Sequence, residues 1–147
     1  MTASVAGKAI VDTNILFYVY DEDAGEKRSK SMALVRQLMS GRNLVLSAQI
    51  LNEFYVTATR PNRMTPQRAG RIVHEFIATC DILPLRDTTT TLALRCVARH
   101  GMSYWDALIW AAAKENGIPL VYTEDFQHGR DLEGVRIENP LLGTAAP

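Results

Sequence analysis

The sequence predicts an α/β domain built around a largely parallel sheet. Short apolar runs of strand length alternate along the chain with longer segments whose apolar residues recur at helical spacing. This alternation is typical of parallel strands joined by helical crossovers. The five strand candidates span residues 8–11, 44–46, 82–85, 120–122 and 135–137.

Helices with recognisable ends fill the intervals between these strands. The segment 26–39 carries apolar residues at helical spacing and stops at a glycine. Ser47 is placed to cap a second helix, and Thr65, which is followed by a proline, is placed to begin a third. Two further helices are expected over residues 88–100 and 103–117.

Length and composition predict one globular domain. The chain has 147 residues, of which 47% are hydrophobic and 22% charged, and no apolar run approaches the ~20 residues that a membrane span needs. We expect a cytoplasmic protein without a signal peptide, with one domain over residues 1–142 and a flexible tail over residues 143–147. The two cysteines lack metal-binding spacing and are expected to be reduced.

The charge balance restricts the ways in which the chain can bind a polyanion. Sixteen basic residues cancel sixteen acidic ones, so no global positive field attracts nucleic acid. A phosphate-bearing ligand would therefore have to bind through a local patch or through metal ions.

Four acidic residues fall where a parallel sheet would bring them to one edge. Asp12 follows the first strand candidate and Asp125 follows the fourth. Asp106 lies in the first turn of the helix that leads into the fourth strand, and Glu53 lies near the start of the helix after the second. Ligands of open parallel sheets bind at the carboxyl ends of the strands, so we expect these acids to converge on a site.

Each acid also has a structural interpretation. Asp12 could hold a turn, and Asp125 could be a loop residue. Asp106 stands three residues after Ser103 and could complete a capping box, and Glu53 lies at the boundary of an apolar helix face. One shared site would explain the positions of all four acids together, whereas the structural interpretations need a separate explanation for each.

Convergence of the four acids carries an electrostatic cost that a cation would offset. At ~5 Å and an effective dielectric constant near 20, each carboxylate pair repels by about 3 kcal/mol. No lysine or arginine is obviously buried among them, and oxygen ligands suit Mg²⁺ or Mn²⁺. Such an ion would also bridge to phosphate oxygens, so the acids predict metal-assisted chemistry on a phosphate ester.

The acidic motifs resemble those of the PIN-domain ribonucleases, most of all the VapC-type toxins of bacterial toxin–antitoxin pairs. The resemblance runs over nearly the whole chain, through "VDTNILFY", "LNEF", "MSYWDALIWAAA" and "YTEDFQHGRDLEGVRIENP". It implies a PIN-like three-layer α/β/α sandwich with a parallel sheet of about five strands. It also implies an endoribonuclease that uses Mg²⁺ or Mn²⁺ and leaves 5′-phosphate and 3′-hydroxyl ends.

The resemblance assigns roles to the four acids. Asp12, Asp106 and Asp125 would hold one or two metal ions. Glu53 would ligate an ion or position the attacking water, and the motif match is weakest around it.

The resemblance also names polar partners of the acids. The partners carry over to Asn14 and Thr123. The Thr-x-Asp spacing favours Asp125 over the adjacent Glu124 as the fourth acid, and Glu124 is expected to support it.

Candidates for substrate contact lie near the acids along the chain. Tyr104 and Trp105 could stack on a base, but we expect both to pack in the core. The three histidines accompany no acid in a motif, which argues against histidine acid–base catalysis. Four arginines could contact RNA or form a solvated helix face: Arg60, Arg63, Arg68 and Arg71.

The resemblance implies two protein partners, a second copy of the chain in a homodimer and a cognate antitoxin. An antitoxin segment would lay apolar residues along a groove and push an arginine or lysine among the acids. Apolar residues of the first two helical segments would suit that groove, although ordinary core packing explains most of them: Leu16, Phe17, Tyr18, Tyr20, Leu34 and Val35.

Two other function classes stay open from the sequence. One is a non-catalytic PIN-like binding module, and the intact set of four acids argues against it. The other is a metal-dependent hydrolase of a small phosphorylated substrate. An aspartyl-phosphate enzyme would usually carry a second aspartate two residues after Asp12, where this chain has Asn14.

Overall fold

The computed structural model of the protein describes residues 7–143 and contains a mostly parallel six-stranded sheet between layers of helices. Five strands run parallel, and the short β5 pairs antiparallel with β6. The strands are β1 (Ala9–Val11), β2 (Leu44–Ser47), β3 (Asp81–Leu83), β4 (Leu120–Tyr122), β5 (Asp131–Leu132) and β6 (Val135–Glu138). The helices are α1 (Thr13–Tyr18), α2 (Glu26–Ser40), α3 (Ala48–Ala58), α4 (Pro66–Thr79), α5 (Asp87–His100) and α6 (Tyr104–Glu115).

The strand order β3-β2-β1-β4-β6-β5 creates a crevice between β1 and β4. The chain moves outward from β1 to β2 and β3, then returns to add β4 on the other side of β1. Because parallel crossovers are right-handed, this reversal puts the helices before and after β3 on opposite faces of the sheet. Helices α1 to α4 accordingly pack on one another, while α5 packs on α6. The α/β sandwich predicted from the sequence is confirmed.

Helix ends follow the capping residues that the sequence indicated. The side chains of Ser47, Thr65 and Ser103 each accept a hydrogen bond from a backbone N–H in the first turn of α3, α4 and α6. Gly101 ends α5 with a φ of 67°, in the left-handed region that favours glycine. The central strand β1 is buried along its whole length, as expected for a strand covered on both faces.

An aromatic cluster joins the helices on one face of the sheet. The Phe54 ring of α3 meets the Phe76 ring of α4 edge-on at 5.9 Å between centroids, and the Tyr20 ring at 5.7 Å. On the other face, the Trp110 indole donates a hydrogen bond of 3.0 Å to the Leu132 carbonyl, which ties α6 to β5. These contacts join the helices of one layer to each other and fix α6 of the other layer on the sheet.

The structure departs from the sequence-based expectations in two places. The third strand ends at Leu83 instead of residue 85, because Pro84 has no N–H to continue the ladder. The two-residue β5 was missed because it is too short to show a period. Of the residues that would suit an apolar groove, Leu16, Phe17 and Val35 are instead buried in the core, as the core-packing alternative predicts, while Tyr18, Tyr20 and Leu34 pack partly against it.

The domain bounds stay a prediction. Residues 144–147 of the predicted tail lie outside the described residues. Within residues 7–143, no helix combines the length and hydropathy that crossing a bilayer requires.

Truncating the aromatic cluster should destabilise the domain strongly. Phe54 is fully buried, so Phe54→Ala should lower the free energy of unfolding by about 3–5 kcal/mol through lost burial and an unfilled cavity. The matched control is Tyr55→Ala, since the neighbouring Tyr55 is exposed. Urea unfolding followed by circular dichroism measures both, and equal losses in the two variants would contradict this account of the core.

Candidate active site: an acidic pocket

A pocket of about 420 Å³ opens at the carboxyl ends of β1 and β4. It brings together all four acids that the sequence singled out, from both sides of the topological reversal. Its lining comprises Asp12, Thr13, Asn14, Gln49, Asn52, Glu53, Val56, Thr57, Arg60, Trp105, Asp106, Ile109 and Asp125.

Asp12 lies at the floor of the pocket and is 5% exposed. It is the N-cap of α1, and its Oδ1 accepts a hydrogen bond of 2.6 Å from the Thr13 backbone N–H. Its Oδ2 accepts one of 2.7 Å from the Thr123 hydroxyl. Burial raises the pKa of Asp12 to about 6, against these two hydrogen bonds and with further contributions from the charges of Asp125 and Asp106.

Thr123 links Asp12 to the loop that carries Asp125. The fully buried Thr123 hydroxyl donates to Asp12 and accepts a hydrogen bond of 3.1 Å from the Asp125 backbone N–H. Asn14 Nδ2 approaches Asp125 Oδ2 at 3.4 Å from the first turn of α1. The structure therefore places Asn14 and Thr123 beside the acids that the sequence paired them with.

Glu53 is held by two neutral donors. Its Oε1 accepts a hydrogen bond of 2.8 Å from the Thr13 hydroxyl, and its Oε2 accepts one of 3.2 Å from the Gln49 amide. The same Gln49 amide nitrogen donates at 3.1 Å to the Trp105 carbonyl oxygen. Gln49 thereby bridges α3 and the start of α6 across the pocket.

Asp106 and Asp125 both lie close to other negatively charged side chains. Burial raises the pKa of Asp106, and the Glu53 charge raises it further, while a hydrogen bond with Ser103 opposes the shift. Burial also raises the pKa of Asp125, with added repulsion from Glu124 and Asp106. The Ser103 hydroxyl accepts a 3.3 Å hydrogen bond from the Asp106 backbone N–H, so Asp106 lies at a capped helix start as well as in the pocket.

Glu124 forms a separate ion pair beside the pocket. Its carboxylate accepts a hydrogen bond from the Tyr18 hydroxyl and pairs with the Lys27 ammonium at 3.2 Å. The Lys27 charge opposes the rise in the pKa of Asp125. Glu124 does not line the pocket, so its influence on Asp125 is electrostatic.

The predicted substrate-contact residues divide into two groups. Arg60 lines the acidic pocket, whereas Arg63 lies over the Phe17 ring at 4.6 Å and shares a second cavity with Arg68. Arg71 is exposed on α4 and lines neither cavity. The expectation that Trp105 packs in the core is wrong, because its side chain is exposed at the pocket rim.

Six residues of the pocket lining escaped the sequence analysis: Thr13, Gln49, Asn52, Val56, Thr57 and Ile109. Gln49 and Asn52 lie four and one residues before Glu53, so the helical period around a suspected acid was the signal that could have found Gln49. Thr13 gave no such signal, since its bond to Glu53 spans forty residues of sequence.

The donor set of the pocket fits a hard divalent cation in chemistry but needs side-chain adjustment to hold one. Carboxylate, hydroxyl and amide oxygens are ligands that Mg²⁺ and Mn²⁺ take, and burial followed by neighbouring carboxylates raises the pKa of Asp12, Asp106 and Asp125. As placed, no three Asp, Glu, His or Cys side chains within residues 7–143 are arranged to share one ion. Asp106 and Asp125 are held less tightly than Asp12, because among the described residues the Asp106 side chain hydrogen-bonds with Ser103 alone and Asp125 accepts one long hydrogen bond of 3.4 Å from Asn14.

Comparison with known protein families identifies the domain that carries this pocket. Residues 9–130 match the model of the PIN domain. This chain belongs to the PIN-domain family. The match spans all four acids and confirms the recognition made from the motifs. No curated protein sequence matches the chain.

Solved structures of PIN-domain toxins share the fold at low sequence identity. The VapC20 toxin of Mycobacterium tuberculosis, described as a sarcin–ricin loop cleaving toxin, is 16% identical, with a TM-score of 0.63 over 80% of this chain and 90% of that one. DNA-bound VapBC from Salmonella typhimurium is 21% identical, with a TM-score of 0.65 over 91% and 98%. A toxin–antitoxin complex from Klebsiella pneumoniae is 19% identical, with a TM-score of 0.67 over 90% and 98%.

The buried Asp12 should make the stability of the metal-free protein fall as pH rises. Its folded pKa of about 6 lies above the ordinary value of 3.8, so the native state holds a proton that the unfolded chain releases between these values. Stability should decline from pH 4 to pH 7 by about 3 kcal/mol at most through this group. Urea unfolding in EDTA at several pH values measures the decline.

The Asp12→Asn variant is the control for this pH dependence. Asparagine cannot titrate, so the variant should lack the part of the slope that Asp12 causes, whatever constant offset its altered hydrogen bonds introduce. Parallel curves for wild type and variant across pH 4 to 7 would show that Asp12 does not titrate as described.

Proposed function

We propose that this chain is a metal-dependent endoribonuclease and the toxin of a VapBC-type toxin–antitoxin pair. The observation that carries the proposal is the convergence of Asp12, Glu53, Asp106 and Asp125 on one pocket at the reversal of strand order. Membership in the PIN-domain family and the fold shared with VapC toxins support it.

The residues present suit a Mg²⁺ or Mn²⁺ ion held by Asp12, Asp106 and Asp125. When bound, such an ion would supply an activated water and stabilise negative charge on the phosphodiester oxygens. Glu53 would act as a positioning group, because both of its oxygens already accept hydrogen bonds from Thr13 and Gln49.

The chain's own residues orient this chemistry. Thr123 and the Thr13 backbone hold both oxygens of Asp12, which sets the direction in which the carboxylate can offer its remaining lone pairs. Asn14 restrains Asp125 from the same helix. Arg60 lines the pocket and would meet a substrate phosphate as a cation in a cluster that is otherwise acidic. None of the three histidines lines the pocket, so proton transfers would fall to carboxylates and water.

The proposed biological setting is a cytoplasmic pair of toxin and antitoxin, with the toxin as a homodimer. Solved relatives of the fold include toxin–antitoxin complexes from Salmonella typhimurium and Klebsiella pneumoniae. An antitoxin arginine or lysine placed among the acids would relieve their repulsion without supporting cleavage.

Neutralising any one of three acids should abolish cleavage. Asp12→Asn, Asp106→Asn and Asp125→Asn should each reduce Mn²⁺-dependent cleavage of RNA by about 100-fold or more, because each removes a charged oxygen donor. The matched control is Asp23→Asn, an exposed aspartate outside the acidic pocket, which should cleave as wild type does.

The same assay separates the proposed function from its rivals. Hydrolysis of p-nitrophenyl phosphate with intact RNA would favour a small-phosphate hydrolase. No hydrolysis of either substrate with any divalent ion would favour a binding module. Undiminished RNA cleavage in all three asparagine variants would refute the site.

Metal binding should stabilise the native protein. An ion that binds only the folded state should add about 2.7 kcal/mol at a hundredfold excess over its dissociation constant, seen as a higher melting temperature. The shift should shrink as pH falls, since protonated carboxylates are poor ligands, and should vanish in Asp12→Asn. An unchanged melting temperature at saturating Mn²⁺ would exclude this metal site independently of activity.

A further inference from the structure

The rim of the acidic pocket carries an indole that the packing of the domain leaves uncovered. Trp105 is 62% exposed, whereas Trp110, one turn and a half further along α6, is fully buried. The ring contact of Trp105 among the described residues is with Tyr104, at 5.4 Å between centroids and nearly perpendicular. One broad face of the indole is therefore available to a ligand.

The position of Trp105 is held by a specific bridge. The Gln49 amide nitrogen donates to the Trp105 carbonyl at 3.1 Å and to Glu53 Oε2 at 3.2 Å. Both of these atoms can only accept, so the orientation of the Gln49 amide is settled. Gln49 Oε1 is left buried without a partner among the described residues. The Gln49 amide therefore joins the start of α6 to Glu53 while its own oxygen stays unpaired.

The rest of the rim is complementary to a nucleotide. On the wall formed by α3, Val56 is 59% exposed, and Asn52 and Arg60 line the same pocket. The rim thus offers an aromatic face, an aliphatic surface, an amide and a cation, while the acids lie below. A nucleotide has a matching group for each of these. Its base matches the aromatic face, its sugar the aliphatic surface, the edge of the base the amide, and a flanking phosphate the cation.

We propose that Trp105 is a specificity-determining residue that stacks on an unpaired nucleobase next to the scissile phosphodiester. This rests on the proposed function, because it names a substrate-contact residue of the same pocket. Trp105 is adjacent in sequence to Asp106, so a base on the indole belongs to a nucleotide beside the acids. A base within a duplex has both faces covered by its neighbours and cannot meet this indole.

The two tryptophans make the proposal measurable without catalysis. In the Asp12→Asn protein with Mg²⁺, where the RNA stays intact, a single-stranded oligonucleotide should quench the fluorescence of exposed Trp105 and shield it from acrylamide. Trp105→Phe in the same background leaves buried Trp110 as the reporter and should show neither effect. Quenching that persists in Trp105→Phe, or its absence with single-stranded RNA that demonstrably binds, would overturn the proposal.

Kinetics provide the second readout. Stacking of one base is worth about 1–3 kcal/mol, so Trp105→Ala should raise KM for single-stranded RNA by about 5- to 150-fold, and Trp105→Phe should recover most of the loss. Duplex RNA should be a poor substrate for wild type and variants alike. Leu94→Ala, which truncates an equally exposed apolar residue on α5 outside the pocket, should leave KM unchanged.

The outcomes separate this proposal from the proposed function. Wild-type cleavage with an unchanged KM in Trp105→Ala would overturn base stacking and leave the nuclease standing. Wild-type failure to cleave any RNA would refute the nuclease, and the fluorescence titration would then decide the stacking alone. Loss of binding to a co-purified protein in Trp105→Ala, with RNA binding intact, would assign the indole to a protein partner and overturn the proposal.

Discussion

The hydrogen bonds that hold the buried carboxylate of Asp12 are the interaction on which the rest of the acidic pocket depends. A 5% exposed carboxylate is costly to ionise, and the Thr13 N–H and Thr123 hydroxyl offset only part of that cost. The same two partners lead onward, since Thr13 donates to Glu53 and Thr123 accepts from the Asp125 backbone. The Asp12 carboxylate is therefore the hub through which two other acids are placed, and its hydrogen bonds serve geometry more than stability.

The sheet topology explains why this hub lies where it does. Because β4 returns to the side of β1 opposite β2, the carboxyl ends of two neighbouring strands meet there, one followed by α1 and the other by a loop. Asp12 caps the helix after β1, while Thr123 and Asp125 extend β4, so the contact between their side chains is a contact between the two halves of the fold. The α3 and α6 helices then contribute Glu53 and Asp106 from opposite layers.

Sequence patterns predicted the parts of this arrangement that follow from strand ends and helix starts, and missed the parts that depend on how side chains meet. Asp12, Asp106 and Asp125 lie at positions that the chain order alone brings to one edge, and the caps at Ser47 and Ser103 have a local cause. The helical period could have placed Gln49 beside Glu53, but not its bridge to α6, because that hydrogen bond joins helices far apart in the sequence. Trp105 was assigned to the core because aromatic residues are usually buried, and the structure exposes it because the buried positions of α6 are taken by other residues, Trp110 among them.

The pocket gathers acids whose ionisation costs the metal-free protein stability. Raised pKa values at Asp12, Asp106 and Asp125 mean that each acid destabilises the metal-free protein when ionised, and the cores on the two faces of the sheet must supply the difference. Lys27 is nearby but is engaged with Glu124, so its charge only moderates the repulsion at Asp125. Under the proposed function, a metal ion and a basic side chain of the antitoxin would compete for these same carboxylates. The identity of the entering cation would then decide between activity and inhibition.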